Sequence, residues 1–305
     1  MPRPTSKLPA ALSQTEAVNP LWLLRALGLV LVAALLCSYL ALCLLFLQGQ
    51  WQIVLHPIHS DAKPPATPEA VHFGPDESAI PQLLGVWMPV ASGARYATTT
   101  ILFLPGGDGS RSDFTPTLEA LHQLGLNVFA FDYRGYGFSA KTHPSQKKMS
   151  EDAESAWRYL TLSRAIPAGQ IVPYGAGVGA SLAAQLTLAH PEVPALILDS
   201  PCADLLKVAR YDPRSVFIPV RLLFHERFPL AEPLSTLRAP KLLITTGKSS
   251  AEAFRTASDP KISVELPAAN GALYGQAITR FLDQYLPQAP DQIVPSAAPL
   301  PTNSR

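Results

Sequence analysis

The chain has 305 residues and a formal net charge of +1, with 24 Lys and Arg against 23 Asp and Glu. A charge so close to zero gives no general affinity for nucleic acid, and no nucleic-acid partner is expected. Two of the three cysteines lie in an apolar N-terminal run, which leaves Cys202 alone in the rest of the chain. With one cysteine, that part can form neither an internal disulfide nor a cysteine-based metal site.

The first predicted element is a transmembrane anchor over residues 26–47, which are uncharged and mostly apolar. As a helix this run would span about 33 Å, enough for a hydrocarbon core of ~30 Å. A cleaved signal peptide is the alternative, but the run is longer than the ~7 to 15 residues of the apolar h-region of a signal peptide, and no clear small-x-small site follows Leu47. We therefore expect an uncleaved signal anchor, and the membrane is the one partner that composition predicts.

The orientation of this anchor follows from its flanking charges. Arg3, Lys7 and Arg25 precede the run, whereas Lys63, beside Asp61, is the one basic residue in the near downstream segment. Because positive flanks stay in the cytoplasm, residues 1–25 are predicted to be a cytoplasmic tail. The main domain is then expected to be extracytoplasmic, either periplasmic or extracellular.

After a proline-rich juxtamembrane linker over residues 48–69, short apolar runs alternate with helical patterns. The predicted strands are 83–88, 99–104, 127–132, 170–174, 195–199, 241–245 and 262–266. The predicted helices are 115–124, 150–162, 178–189 and 274–285. Strands that are apolar on both faces indicate an α/β domain with a mostly parallel sheet flanked by helices. This domain is expected over 70–286, with a helical cap insertion at 204–237 and a proline-rich disordered tail at 287–305.

Several loops that follow the predicted strands carry recognisable motifs. They read LFLPGGDGS at 102–110, FDYRGYGFS at 131–139, PYGAGVGAS at 173–181, ILDSPCADL at 197–205 and LLITTGKSS at 242–250. In this order and spacing they resemble the α/β-hydrolase fold family, and within it a membrane-anchored branch similar to esterases and serine aminopeptidases. The resemblance implies that these segments are, in turn, an oxyanion loop, the Asp-x-Arg-Gly-x-Gly-x-Ser turn of the family, a nucleophile elbow, the end of the following strand and an acid loop.

Enzymes of this family use a serine, a carboxylate and a histidine in that chain order. The resemblance places Gly177 at the serine position, Ser250 at the acid position and Gly271 at approximately the histidine position, and no histidine follows His225. The backbone conformation at the elbow costs a residue with a side chain about 1 to 3 kcal/mol, whereas glycine adopts it without strain. Glycine is therefore tolerated at this position. The expectation is a catalytically inactive pseudohydrolase.

The backbone donors of the site are expected to remain. The N–H groups of Val178 and of Gly106 or Gly107 would still converge on a carbonyl oxygen or a small anion. We call this region the vestigial pocket, and its expected ligand is a small molecule or a protein. Asp108 would oppose an anion there, and Pro105 departs from the His-Gly usual at the start of this loop.

The alternative is an active hydrolase of esters, amides or peptides with a displaced nucleophile. Its candidate nucleophiles are Ser181, Ser200 and Cys202, its candidate carboxylates are Asp199 and Glu252, and its candidate bases are His225 and Lys248. Cofactor chemistry has little support, because Ala180 stands where the third glycine of a dinucleotide fingerprint belongs. The His56 and His59 pair has no carboxylate cluster beside it, so neither a metal nor another cofactor is expected.

Overall fold

The computed structural model describes residues 20–62, 69–74, 81–202, 204–245, 254–267 and 271–286. The chain divides into two compact units, Met1–Gln48 and Gly49–Arg305. Residues 1–19 of the predicted N-terminal tail (1–25) and the whole predicted tail at 287–305 lie outside the described residues, and residues 20–25 belong to the first helix.

The first unit contains one long helix, α1 (Pro20–Gly49), which includes the whole of the predicted span. Its side chains are exposed along most of its length, including Leu29 at 73%. A helix with exposed apolar side chains along most of its length is poorly suited to water. By length and composition α1 is a candidate membrane span, with a mean hydropathy of 2.8 over its most apolar 18 residues.

The second unit is built on a large sheet. Its described strands are β1 (His56–Pro57), β2 (Ala70–Phe73), β3 (Leu83–Met88), β4 (Tyr96–Leu104), β5 (Asp108–Gly109), β6 (Leu126–Asp132), β7 (Ile171–Ala176), β8 (Leu196–Asp199), β9 (Lys241–Thr245) and β10 (Lys261–Glu265). Eight of them form one sheet in the order β10-β9-β8-β7-β4-β6-β3-β2, while β1 and β5 form a separate parallel pair. The sheet is parallel from β10 to β6, and β3 and β2 add an antiparallel edge.

Helices cover both faces of this sheet. They are α2 (Thr115–Gln123), α3 (Gln146–Arg158), α4 (Gly179–Ala189), α5 (Leu205–Tyr211), α6 (Val220–Leu223), α7 (Ala231–Thr236) and α8 (Gly271–Tyr285). Buried residues of α2 and α8 pack with β4, β6, β7, β8 and β9 in one apolar core. Helices α3 and α4 pack against each other and against the opposite face. The expected α/β-hydrolase architecture is therefore confirmed.

Most predicted elements are present with shifted ends. Strands 83–88 and 241–245 match, whereas the predicted strand at 99–104 begins at Tyr96 and the strand at 170–174 runs from Ile171 to Ala176. Helix α3 begins at Gln146, four residues before its predicted start, because the Ser145 hydroxyl accepts the Lys148 N–H and caps it. The predicted insertion at 204–237 contains α5, α6 and α7.

The predicted juxtamembrane linker is partly incorporated into the domain. Residues 50–60, here called the strap, begin with a 3₁₀ turn (Gln50–Ile53) and continue through β1. Ile53, Val54 and Leu55 are buried, and Leu55 is only 1% exposed. Proline-rich composition favoured a linker, but this apolar triplet supplies enough buried surface to hold the strap on the domain.

Candidate functional site

The centre of the site is the turn between β7 and α4. Gly177 has a φ of +54°, in the left-handed region that glycine enters without strain. Its N–H donates to the carbonyl oxygen of Asp199 (3.0 Å), and its own carbonyl oxygen accepts the N–H groups of Ala180 and Cys202 (3.3 Å each). Residue 177 therefore occupies the sharp strand-to-helix turn that the sequence motif predicts.

The glycines on either side of Gly177 are required by close packing. A Cβ on Gly175 would lie 2.5 Å from the Cα of Ala180, and a Cβ on Gly179 would lie 2.5 Å from the carbonyl oxygen of Pro105. A Cβ on Gly177 would instead lie 3.5 Å from the Cα of Gly106 and 3.7 Å from the Cys202 sulfur, which are ordinary contacts. The turn has room for a side chain at residue 177, but the sequence supplies none.

The loop after β4 lies beside this turn, where the oxyanion loop is expected. The Tyr136 hydroxyl donates to the carbonyl oxygen of Gly107 (3.0 Å), and the Tyr133 hydroxyl donates to that of Pro105 (3.4 Å). Both tyrosines are buried and belong to the 131–139 motif. The hydroxyl groups of the two tyrosines thus hold the backbone of this loop, and Gly106 lies next to the elbow.

The strap covers the same loop. The His56 N–H donates to the Gly107 carbonyl oxygen (2.8 Å), and the Ile58 N–H donates to that of Gly109 (3.1 Å). A Cβ on Gly107 would meet Leu55 Cδ2 at 2.7 Å and Val178 Cγ2 at 3.0 Å, so these two side chains enclose the glycine. Sequence reasoning missed this arrangement, and the apolar triplet 53–55 just before Pro57 was the available signal.

Asp108 is paired with the strap. Its Oδ1 lies 2.6 Å from His56 Nδ1, and both side chains are exposed. The carboxylate that was expected to oppose an anion at the vestigial pocket therefore has a partner that can carry positive charge. The two residues are also opposite each other in the β1–β5 pair.

The 131–139 motif has a structural explanation in Asp132. This buried carboxylate accepts the Arg111 N–H (2.7 Å) and occupies the space that a Cβ on Gly137 would need. The Ser139 hydroxyl donates to the Asp132 carbonyl oxygen (2.5 Å) and accepts the Leu84 N–H (2.9 Å). Burial raises the pKa of Asp132, and Arg111 opposes the shift. The most specific motif in the sequence thus holds the turn together.

Arg134 of the same motif fastens α3. Its Nε and its backbone N–H donate to the two carboxylate oxygens of Asp152 (2.6 and 2.8 Å), which is 0% exposed. Burial raises the pKa of Asp152 to about 6, against the lowering effect of Arg134. This residue pair is a structural anchor and lies on the α3 side of the fold.

Asp199, an alternate acid candidate, ends β8 within a cluster of hydroxyl groups. Its carboxylate accepts the hydroxyls of Tyr174 (2.6 Å) and Ser200 (3.0 Å), and Tyr174 is hydrogen-bonded in turn to Tyr274. Burial raises the pKa of Asp199, while these two donated bonds lower it. Burial also raises the pKa of both tyrosines. Nothing in the sequence signalled that Tyr274 of α8 would complete this cluster.

The other candidate side chains have structural partners or lie outside the described residues. Ser181 is 3% exposed and donates to the carbonyl oxygen of Pro229 (2.7 Å), as a packing serine would. The His225 N–H donates to Gln50 Oε1 (2.7 Å) of the strap, and its side chain is exposed. Gly271 is the first residue of α8. Lys248, Ser250 and Glu252 lie outside the described residues.

The Cys202 sulfur lies 3.7 Å from the position that a Cβ at residue 177 would take. The residue as a whole is exposed, yet desolvation of its thiol raises the pKa to about 11, and the negative charge of Asp108 adds to the shift. A thiol with such a pKa is protonated at neutral pH. Because the thiolate is the reactive form, this environment is the reverse of the one that activates catalytic cysteines.

The histidines make their contacts elsewhere. His122 bonds to the Pro89 carbonyl oxygen, His190 bonds to Glu154, and His143 stacks on Trp51 of the strap. In the part of the chain that the structure describes, which includes all seven histidines, no imidazole is hydrogen-bonded to residue 177, Asp199 or Cys202.

Comparison with known protein sequences identifies relatives over most of this chain. A family model described as "alpha/beta hydrolase fold" matches residues 99–234. The uncharacterized protein Rv2307c of Mycobacterium tuberculosis (strain ATCC 25618 / H37Rv) is 30% identical over 279 residues, which cover 85% of this chain and 96% of that protein. The alpha/beta hydrolase domain-containing protein 17C of Xenopus tropicalis is 31% identical over 155 residues, which cover 50% of this chain and 46% of that protein.

Solved structures share the fold. The esterase Pf2001 of Pyrococcus furiosus superposes with a TM-score of 0.57 at 19% identity, over 77% of this chain and 98% of the esterase. An alpha-beta hydrolase from Vibrio vulnificus superposes with a TM-score of 0.55 at 20% identity, over 71% of this chain and 81% of that one. At these identities the two structures bear on the fold alone. With the strand order, the elbow turn and the sequence relatives in agreement, the chain belongs to the alpha/beta hydrolase fold family.

Proposed function

We propose that this protein is a membrane-anchored pseudohydrolase, which acts by binding a ligand or a partner rather than by hydrolysis. One observation carries the proposal: Gly177 stands at the strand-to-helix elbow, with the flanking glycines and the space for a nucleophile, and has no side chain. Catalysis in this family needs a hydroxyl or thiol at that place. An elbow that keeps its backbone geometry without a nucleophile can still present backbone donors.

The neighbouring hydroxyls support this proposal because each has another role. Ser181 is buried and bonded to the Pro229 carbonyl oxygen, away from any imidazole. Ser200 donates to Asp199 and has a φ of +44°, so its hydroxyl is committed to a buried carboxylate. A serine nucleophile of this family requires an imidazole to accept its proton, and among the described residues neither hydroxyl is hydrogen-bonded to one.

The binding region that we propose is the vestigial pocket formed by Gly106, Gly107 and Val178. Its loop is braced by Tyr133 and Tyr136 and is covered on one side by the strap. Preorganised backbone donors at a helix N-terminus favour a carbonyl oxygen or a small anion. The ligand we propose is therefore a small molecule or a protein segment that offers such an oxygen.

We further propose that α1 holds the domain at a membrane, with the N-terminal tail in the cytoplasm and the domain outside it. The length and hydropathy of α1 and the basic residues before it support this arrangement. A location in a periplasm or at a cell exterior follows from the same orientation.

One observation favours the alternative of an active hydrolase. The Cys202 sulfur lies 3.7 Å from the position that a Cβ at residue 177 would take, and the His56–Asp108 pair is bonded to the neighbouring loop. In this alternative Cys202 would attack an ester, amide or peptide carbonyl. Its raised pKa argues against that role.

Covalent labelling separates the two proposals. The full chain, purified in detergent, is treated with a fluorophosphonate and separately with iodoacetamide, and the intact masses are measured against those of an active serine hydrolase. We expect no stoichiometric fluorophosphonate adduct, and iodoacetamide labelling of Cys202 no faster than that of a free thiol at pH 7. A single stoichiometric serine adduct, or rapid labelling that the variant Cys202→Ala abolishes, would overturn the pseudohydrolase.

A further inference from the structure

The outer side of the cap insertion exposes large apolar side chains. Tyr211, Val216, Phe217 and Leu222 are each at least 70% exposed, and they fall within 12 consecutive residues. Single exposed apolar residues are ordinary, but a concentration of large ones marks a surface that meets something other than water. We call the exposed side chains of Tyr211, Val216, Phe217 and Leu222 the outer face of the insertion.

The insertion buries other apolar side chains of its own, besides these exposed ones. The same segments bury Leu205 and Ala209 of α5 and Ile218 and Val220 at α6, and the two helices pack against each other. The Ser215 hydroxyl is also buried and donates to the Ala209 carbonyl oxygen (2.6 Å). The insertion is therefore folded onto the domain, and its outer face remains apolar after that packing is complete.

The charges around the outer face are mostly positive. Lys207, Arg210, Arg214 and Arg221 are exposed, whereas Asp212 is the one acidic residue from 205 to 222 and is paired with Arg214 (2.8 Å). Apolar side chains flanked by lysine and arginine are typical of surfaces that lie in the interface of a bilayer with anionic lipids.

The strap follows α1 directly in the chain and is hydrogen-bonded to the insertion. Gln50 comes three residues after Leu47, where the predicted span ends, and three residues extend over at most about 10 Å. Gln50 Oε1 accepts the N–H of His225, which follows the outer face by three residues in sequence. This bond joins the insertion to the first residue of the strap.

We propose that the outer face docks on the lipid surface of the membrane that holds α1. Phe217 and Leu222 enter the interface between headgroups and acyl chains, and Arg210 and Arg221 contact anionic headgroups. The proposal rests on the membrane anchor of the proposed function. It adds that the domain is held against the bilayer at a second place, instead of moving freely on its tether.

The test measures the depth of one added tryptophan in full-length protein reconstituted into vesicles of phosphatidylcholine and phosphatidylglycerol, with the signal of the four native tryptophans in the parent chain subtracted. Phe217→Trp places the probe on the outer face, and Leu162→Trp is the matched control, because Leu162 is 75% exposed, against 77% for Phe217, and lies outside the insertion. Both variants and the parent chain are measured with and without doxyl-labelled lipid. We expect the added tryptophan at 217 to be quenched at least about twofold more than the one at 162.

The charge contribution is tested in the same system. The double variant Arg210→Gln/Arg221→Gln, made on the Phe217→Trp chain, should reduce quenching in vesicles with phosphatidylglycerol and have little effect in pure phosphatidylcholine. An equal effect in both lipids would overturn the role of the headgroup contacts.

The result that overturns docking is equal quenching at 217 and 162 in protein that resists extraction by alkaline carbonate. Burial of the tryptophan at 217 that occurs only at a high protein-to-lipid ratio would also contradict docking. A second copy of the chain, and not the lipid, would then cover the outer face. Loss of the protein from the vesicles on carbonate extraction is a different failure. It would refute the anchor itself, and the docking proposal with it.

Discussion

The backbone N–H of Cys202 donates a hydrogen bond to the carbonyl oxygen of Gly177 across 3.3 Å, which joins the loop after β8 to the elbow after β7. Gly177 in turn donates to Asp199, so the two strand ends are tied in both directions. Neither bond involves a side chain at residue 177. The geometry of the elbow turn therefore depends on backbone hydrogen bonds alone at this residue.

Alanine substitutions in the turn between β7 and α4 should separate the cost of a steric clash from the cost of a positive φ. Gly177→Ala has room for its Cβ but must keep a positive φ, so we expect a loss of about 1 to 2 kcal/mol in the free energy of unfolding. Gly175→Ala would force its Cβ against Ala180, and we expect a loss of about 3 kcal/mol or more. Denaturant unfolding measures both variants, and equal losses would contradict the described turn.

The strap should contribute to the stability of the domain. Leu55→Ala removes a buried side chain beside Gly107 and should cost about 2 to 4 kcal/mol. It should also speed amide hydrogen exchange at residues 107–109. Ile58→Ala is the control, because Ile58 belongs to the strap but is 60% exposed, and it should leave both measurements nearly unchanged. Similar effects of the two variants would mean that Leu55 does not hold the loop.

The buried carboxylate of Asp199 should make stability depend on pH. Its pKa in the folded state is raised by burial, so the fold favours the protonated form. The stabilisation is complete below the unfolded pKa of about 3.9 and is lost as pH rises through the folded pKa. Asp199→Asn cannot ionise and should gain stability relative to the parent chain as pH rises from 4 to 7. Parallel stability curves for the two chains in thermal unfolding would refute this explanation.

The reactivity of Cys202 should follow its raised pKa. In the variant Cys37→Ala/Cys43→Ala, where Cys202 is the remaining thiol, the rate of iodoacetamide labelling should still rise between pH 9 and 10. A free thiol with a pKa of about 8.5 would already approach its plateau there. Asp108→Asn removes a nearby negative charge and should shift the profile to lower pH. A plateau below pH 8 in the parent would contradict the described environment.

The sequence predicted the sheet well because its strands carry strong local patterns. Runs such as 83–88 and 241–245 are mostly apolar, and their ends match the observed strands. The short edge strand β2 was missed, since four residues that pair on one side alone give little signal. The start of α3 was misplaced because the Ser145 cap lies before a polar first turn.

The site was less accessible from sequence than the sheet. Glycine spacing identified the elbow and the loop after β4, because close backbone approach leaves a local motif. The contacts of Leu55 with Gly107 and of Tyr174 with Tyr274 join segments distant in sequence, and no periodicity encodes them. The pKa values of Asp199 and Cys202 likewise depend on burial, which only the folded chain defines.

The most direct test of the central claim is the turnover of p-nitrophenyl esters by the full chain, its Gly177→Ser variant and the variants Ser181→Ala, Ser200→Ala and Cys202→Ala. If the site lacks its chemistry, the parent chain should show at most the ~10³ to 10⁴-fold acceleration over water that binding and backbone donors alone can give. Gly177→Ser should add nothing, because no imidazole lies beside it. Efficient turnover that one of the three alanine variants abolishes would contradict the pseudohydrolase.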